Sequence, residues 1–180
     1  DIDDPEDDPE DEPEDEPFRF TPNPKLDALV GLVEDNVLNH FNPASVIVWA
    51  WYREDIRAIN EALAHLHPVT IAGGMSRRNR EAAETAFRRG ETRLLIGNPA
   101  SAGVGLNLQA ASVAFYYSQS YNLEHRAQSE DRCHRSGSEI HDSVTYVDVV
   151  CRGTIDEAVR HVLAGKMALA DAVVEIRDAL

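Results

Sequence analysis

The 180-residue chain is poor in cysteine, methionine and tryptophan, with two of each. Cys133 and Cys151 form no metal-type pair, and two thiols in a chain this long make no disulfide framework, so a reduced, intracellular setting is expected. No apolar run approaches membrane-spanning length and no secretory signal is present, so no membrane partner is expected. No internal repeat is visible. Basic residues are missing from residues 1–17, DIDDPEDDPEDEPEDEP, which hold twelve of the thirty-two acids, four prolines and one aliphatic residue, Ile2. Such a segment cannot bury enough surface to fold alone. The formal charge of −15 is therefore unevenly spread: beyond residue 17, twenty acids face seventeen bases, a difference of −3. An acidic disordered tail or linker over 1–24 is expected ahead of a nearly neutral domain over 25–180. The chain opens with aspartate rather than methionine, and the expectation is a piece of a longer polypeptide.

What is present is alternation. Leu26, Leu29, Val30, Leu32, Val33, Val37 and Leu38 give residues 25–41 the spacing of an amphipathic helix. SVIVWA (45–50) then reads as a buried parallel strand. Helices are predicted over 53–66, 76–90, 122–135 and 154–180, the last with a bend at Gly165, and further strands over 68–73, 92–97, 112–117 and 143–150. Ser76 is the expected cap of the 76–90 helix and Gly90 its stop. This alternation predicts an α/β fold, an open, doubly wound, mainly parallel sheet with helices on both faces. Ligands of such sheets gather beyond the carboxyl ends of the strands, which singles out the loops after residues 50, 72, 97 and 117.

Two of these regions carry chemistry. In GNPASAGVGLNLQAAS (97–112), Gly97, Gly103 and Gly105, with Ser101 between, allow close backbone approach to an anion or nucleotide, although an ordinary strand-to-helix turn would look the same. In QSEDRCHRSGS (128–138), Arg132 and Arg135 share one helix face beside Gln128, and Gly137 stops the helix, leaving two guanidinium forks near a loop. Other features are decoys. Gly165-Lys166 has Met167 where a phosphate-binding loop needs a hydroxyl, and DEPE (11–14) lies in low-complexity sequence with no strand beneath it. His125, His134 and His141 with Cys133 lack zinc spacing, so no metal site is expected. The chain thus offers two arginines and anion-loop glycines, but nothing to hold magnesium or a phosphate chain.

The ordered series IAGGMS, Arg80, Phe87, SAGVGLNLQAA, YNLEHRAQSEDRCHRSGS and GTIDEAV resembles the second RecA-like lobe of Swi/Snf-family superfamily 2 helicase-type ATPases, over residues 25–170. Residues 128–137 resemble motif VI, 103–108 motif V and, more loosely, VIVWAWYREDIRAINEAL motif IV. The resemblance implies that Arg132 and Arg135 act as arginine fingers on ATP and magnesium held by a first lobe of the same polypeptide. It also implies that Gln128, Gly103 and Gly105 border the nucleotide. Guanidinium suits the task, being permanently charged and able to grip phosphate oxygens with two parallel hydrogen bonds. The resemblance further sets the Gly73-Gly74 loop and Ser101 beside the backbone of a double-stranded nucleic acid, most readily DNA. Arg77, Arg78 and Arg80 on the following helix would add sequence-independent contacts. Arg88 and Arg89 read equally well as a solvated face, Trp49 as core, and Trp51 as a residue of the interlobe cleft. Ser138 departs from the family's glutamine at that position, and no first lobe is in this sequence, so the chain alone is expected to be inactive. Two rivals are a freestanding nucleic-acid-binding or regulatory module whose acidic tail mimics nucleic acid, and a small-molecule enzyme, which lacks a candidate nucleophile or base because Tyr121, His125 and Asp131 read as helix surface or core.

Overall fold

The computed structural model describes residues 22–39, 41–101, 106–133, 141 and 143–178, those after 168 as backbone only. Five strands form one sheet: β1 (Val46–Trp49), β2 (Val69–Ile71), β3 (Leu94–Gly97), β4 (Val113–Tyr116) and β5 (Thr145–Asp148). Their order is β2-β3-β1-β4-β5 and every pairing is parallel. The five helices are α1 (Pro24–Val37), α2 (Arg53–Ala62), α3 (Arg77–Arg88), α4 (Leu123–Cys133) and α5 (Ile155–Asp178). The expected tail over 1–24 lies outside the described residues up to position 21.

Local chemistry accounts for the helix starts. Asn23 caps α1 by accepting from the Leu26 backbone N–H at 3.1 Å, and Pro24 supplies a first position that needs no donor. Ser76 caps α3 as expected, accepting from Asn79 N–H at 3.2 Å. The predicted helix over 53–66 instead breaks in two. α2 stops at Ala62, a single 3-10 turn spans Ala64–Leu66, and His67 turns the chain with φ 50. Helix 154–180 passes Gly165 without a break and runs Ile155–Asp178. The stretches 98–101 and 106–112 between β3 and β4, where no helix is predicted, contain none. None of the described helices is long and apolar enough to cross a membrane.

Strand alternation sends successive side chains to opposite faces and sorts them into two cores. Val46, Val48, Leu94, Ile96, Phe115 and Tyr117 meet Leu29, Val33 and Val37 of α1, with Ile56, Ile59 and Leu63 from α2 and its end. Ile47, Trp49, Leu95, Ala114 and Tyr116 meet Ala83 and Phe87 of α3, Cys133 of α4 and Leu106 and Leu108 of the β3–β4 connection. Trp49 is therefore core, fully buried. The arrangement also locates a crevice. Neighbouring strands β1 and β4 are followed by helices on opposite faces, α2 and α4, so the chain parts there at the carboxyl edge.

Candidate functional site

The loops leaving the carboxyl edge are bound to one another by side chains. The backbone N–H of Trp51, after β1, donates to Ser118 Oγ after β4 at 2.9 Å. Trp51 also faces the His125 ring on α4, with ring centres 5.0 Å apart, which sets it at the β1–β4 crevice. Asn98, following β3, is the organiser that sequence reasoning missed. Its amide donates to Trp51 O at 2.7 Å, its oxygen accepts from Ala100 N–H at 2.9 Å, and its backbone N–H donates to Ile71 O at 3.1 Å. One residue thus joins the ends of β1, β2 and β3. The available signal was the Asn-Pro pair that opens many turns.

The Asn98 turn delivers Ser101 to the loop after β2. A Cβ built on Gly73 would lie 3.5 Å from Ser101 Oγ, so the two positions are adjacent. Gly74 takes φ +84, a left-handed conformation that side chains resist, and the tip is exposed. α3 begins directly beyond it. Arg77 is 92% exposed and paired to Glu81 at 2.7 Å, Arg78 is exposed, and Arg80 is half-buried with its Nε shielded from solvent. Gly73, Gly74, Ser101 and the first turn of α3 are therefore one locality. Arg88 lies eleven residues further along, about 16 Å at 1.5 Å per residue, and belongs to a different patch.

α4 is amphipathic in an unusual way. Its described buried residues are Ser129 and Cys133, and Cys133 is pushed up to about 12 by burial, so its thiol stays protonated. The helix is seated mainly by polar contacts. Tyr116 and Ser129 hydroxyls meet at 2.7 Å, and Tyr146 donates to Glu130 O at 3.1 Å. Arg126 lies 3.6 Å over the Tyr116 ring, pairs with Glu130 and Asp148, and donates to Gln119 Oε1 at 2.8 Å. Burial alone would lower the Arg126 pKa, but its partners outweigh that and raise it, so the guanidinium remains charged. Glu124, Gln128 and Arg132 form a row at four-residue spacing beside that buried seam. Gln128 donates to Glu124 Oε1 at 2.9 Å, and Arg132 is half-buried.

The β3–β4 connection is strapped between the two helices of this face. Asn107 N–H donates to Glu84 Oε1 on α3 at 2.8 Å, and Leu108 N–H donates to Arg132 O on α4 at 3.2 Å. Hence the chain just after Gly103 and Gly105 is held against the end of α4. Gly103, Gly105 and Arg135 themselves lie outside the described residues, as does Gly137. Among the described residues, no three His, Cys, Asp or Glu side chains are grouped to hold a metal ion. Of the residues read as helix surface or core, Tyr121 and Asp131 are exposed, and His125 is half-buried on α4 against Trp51.

A five-stranded parallel sheet in this order, with helices on both faces, is the fold of a RecA-like lobe. The family described as helicase conserved C-terminal domain matches residues 24–137, and the chain belongs to that family. Within it, the chain is a Swi/Snf-type C-terminal lobe. It is 39% identical over 72 residues, 40% of its length, to the chromatin-remodeling ATPase INO80 of Cryptococcus neoformans var. neoformans serotype D. It is 31% identical over 109 residues, 58% of its length, to the putative ATP-dependent helicase/translocase YwqA of Bacillus subtilis. The chain spans 4% and 11% of those two relatives. Among solved structures, the C-terminal part of the Fun30 ATPase domain superposes with a TM-score of 0.71 at 19% identity, covering 81% of this chain and 47% of that one.

Proposed function

We propose that this chain is the C-terminal motor lobe of a nucleic-acid-dependent ATPase of Swi/Snf type, acting inside the cell as a translocase or remodeller. In this reading, a first RecA-like lobe of the same polypeptide holds ATP, and Arg132 and Arg135 reach across to stabilise the charge that develops on the transferring phosphate. Gln128, Gly103 and Gly105 border the nucleotide. The magnesium that accompanies ATP would be held mostly by the first lobe. Gly73, Gly74, Ser101, Arg77, Arg78 and Arg80 grip the backbone of a DNA duplex through amides and guanidinium groups, without reading sequence. The acidic segment ahead of the Asn23 cap serves as a linker, and the chain from α1 onward as the lobe.

The observation that carries this reading is the face of α4. Gln128 and Arg132 stand one turn apart along α4, and the loop after β3 is tied to the Arg132 carbonyl, so both side chains lie in one row where that loop meets the helix end. The test is steady-state ATP turnover in a two-lobed polypeptide containing this chain. Arg132→Ala should lower kcat about 10³-fold or more while the thermal melt is retained. Arg132→Lys should rescue poorly, since an ammonium cannot reproduce the planar fork. Near-normal turnover by Arg132→Ala would remove the role.

A further inference from the structure

We propose that Arg126 is a positioning residue that sets the roll of α4, and through it the aim of Arg132 into the nucleotide cleft. The proposal rests on the role given to Arg132 above. Its starting point is how little apolar surface holds α4. Where α1, α2 and α3 bury Leu, Val, Ile or Phe side chains, α4 buries Ser129 and Cys133. Apolar packing is non-directional and would let so lightly anchored a helix turn about its axis. Something directional must oppose that rotation.

Arg126 supplies it. Its side chain is 12% exposed and contacts three separate parts of the fold. Its face lies on the Tyr116 ring of β4, and its edges meet Asp148 at the end of β5, Gln119 beyond β4, and Glu130 one turn along α4 itself. Gln119 also donates to Asp148 Oδ1 at 3.1 Å, which closes the set of partners around the fork. A planar guanidinium engaged on a face and two edges fixes both direction and rotation, whereas an ammonium would fix a distance only. Ser129 extends the same lock, donating to Arg126 O at 2.7 Å while meeting Tyr116. Arg132 follows six residues later on the same rigid helix, about 9 Å along its axis. A roll of α4 would swing the Arg132 guanidinium sideways, and a misplacement of about 1 Å can cost about 10²-fold in rate.

The experiment is a double-mutant cycle in the same two-lobed polypeptide, reading kcat and KM for ATP with thermal melts alongside. Arg126→Gln should lower kcat by about 10- to 100-fold with KM changed less than about twofold. Arg126→Lys should recover little of that loss. Added to Arg132→Ala, Arg126→Gln should cost less than about threefold more, because a finger that is absent cannot be misaimed. A kcat within about threefold of wild type for Arg126→Gln, or a full additional loss on the Arg132→Ala background, would overturn the positioning role. Normal turnover by Arg132→Ala would overturn the nucleotide reading itself, and the positioning role with it. If Arg126→Gln fails to fold, Asp148→Ala removes one edge of the fork, and its kcat should fall non-additively in the same cycle. Unchanged turnover there would equally refute the proposal.

Discussion

One face of the sheet is closed by Leu29, Val33, Ile56, Ile59 and Leu63, and the other by Ala83, Phe87 and Cys133 with Trp49 and Tyr116. The first face is aliphatic apart from Phe115 and Tyr117. The second admits hydroxyl and carboxylate groups, including the Tyr116–Ser129 contact and the Glu84 anchor of the β3–β4 connection. Aliphatic burial supplies free energy in proportion to area and is indifferent to small shifts, while hydrogen bonds fail when misaligned. The contrast teaches a division of labour. The α1–α2 face holds the fold, and the α3–α4 face holds positions, which is where Gln128, Arg132 and the arginines of α3 reside.

Three measurements sharpen or break that division. The largest effect should follow truncation on the aliphatic face. Ile59 is fully buried, and Ile59→Ala should cost about 2–5 kcal/mol through lost transfer free energy and a residual cavity. A thermal melt showing under about 1 kcal/mol would deny that this face is the principal scaffold. A pair of glycine substitutions should then move stability in opposite directions. In Gly97→Ala, on β3, the new Cβ would meet Trp49 Cζ3 at 3.0 Å and Ile71 O at 3.1 Å, so about 1–3 kcal/mol should be lost. Gly31, on α1, has nothing within 4 Å of its ideal Cβ, and Gly31→Ala should gain about 0.5–1 kcal/mol. Equal signs in denaturant titrations would contradict the packing assigned to the two positions.

The smallest effect concerns Asp55 on α2. Burial raises its carboxyl pKa above the ordinary value of 3.8, opposed in part by the hydrogen bond with Ser118. A raised folded-state pKa favours the fold while the group is protonated. That contribution is whole below pH 3.8 and is lost as pH rises through the folded value. Asn keeps an acceptor for the Ser118 hydroxyl without the charge. Asp55→Asn should therefore raise the melting temperature slightly at pH 7, with the gain vanishing below pH 3.8. A gain that grew on acidification would reverse the assigned direction.

Much of the candidate site was readable along the chain because its signals are local. Gln128 and Arg132 are four residues apart, Ser76 directly precedes its helix, and Gly73-Gly74 directly follows a strand. Asn98 and Arg126 were not readable in this way. Asn98 acts on Trp51 O, 47 residues earlier, and Arg126 on Asp148, 22 residues later. A charged residue in a helix with charged neighbours reads as a solvated face, and only the fold reveals that Arg126 is covered. The path of the β3–β4 connection was equally hidden. Leu106 and Leu108 are drawn into the second core while Asn107 and Leu108 give their amides to α3 and α4.

The sequence by itself determined which segments are strands and helices and which side chains face inward, since spacings of two and of three to four residues act between near neighbours. It also determined that two guanidinium-bearing positions and a glycine loop exist without a phosphate-binding loop beside them. The strand order β2-β3-β1-β4-β5 was decided only by the tertiary structure. That order sends α2 and α4 to opposite faces and opens the crevice between β1 and β4. Parallel pairing joins segments across long connections, so no local periodicity encodes it, and the partners that aim Arg126 assemble only once that pairing is complete.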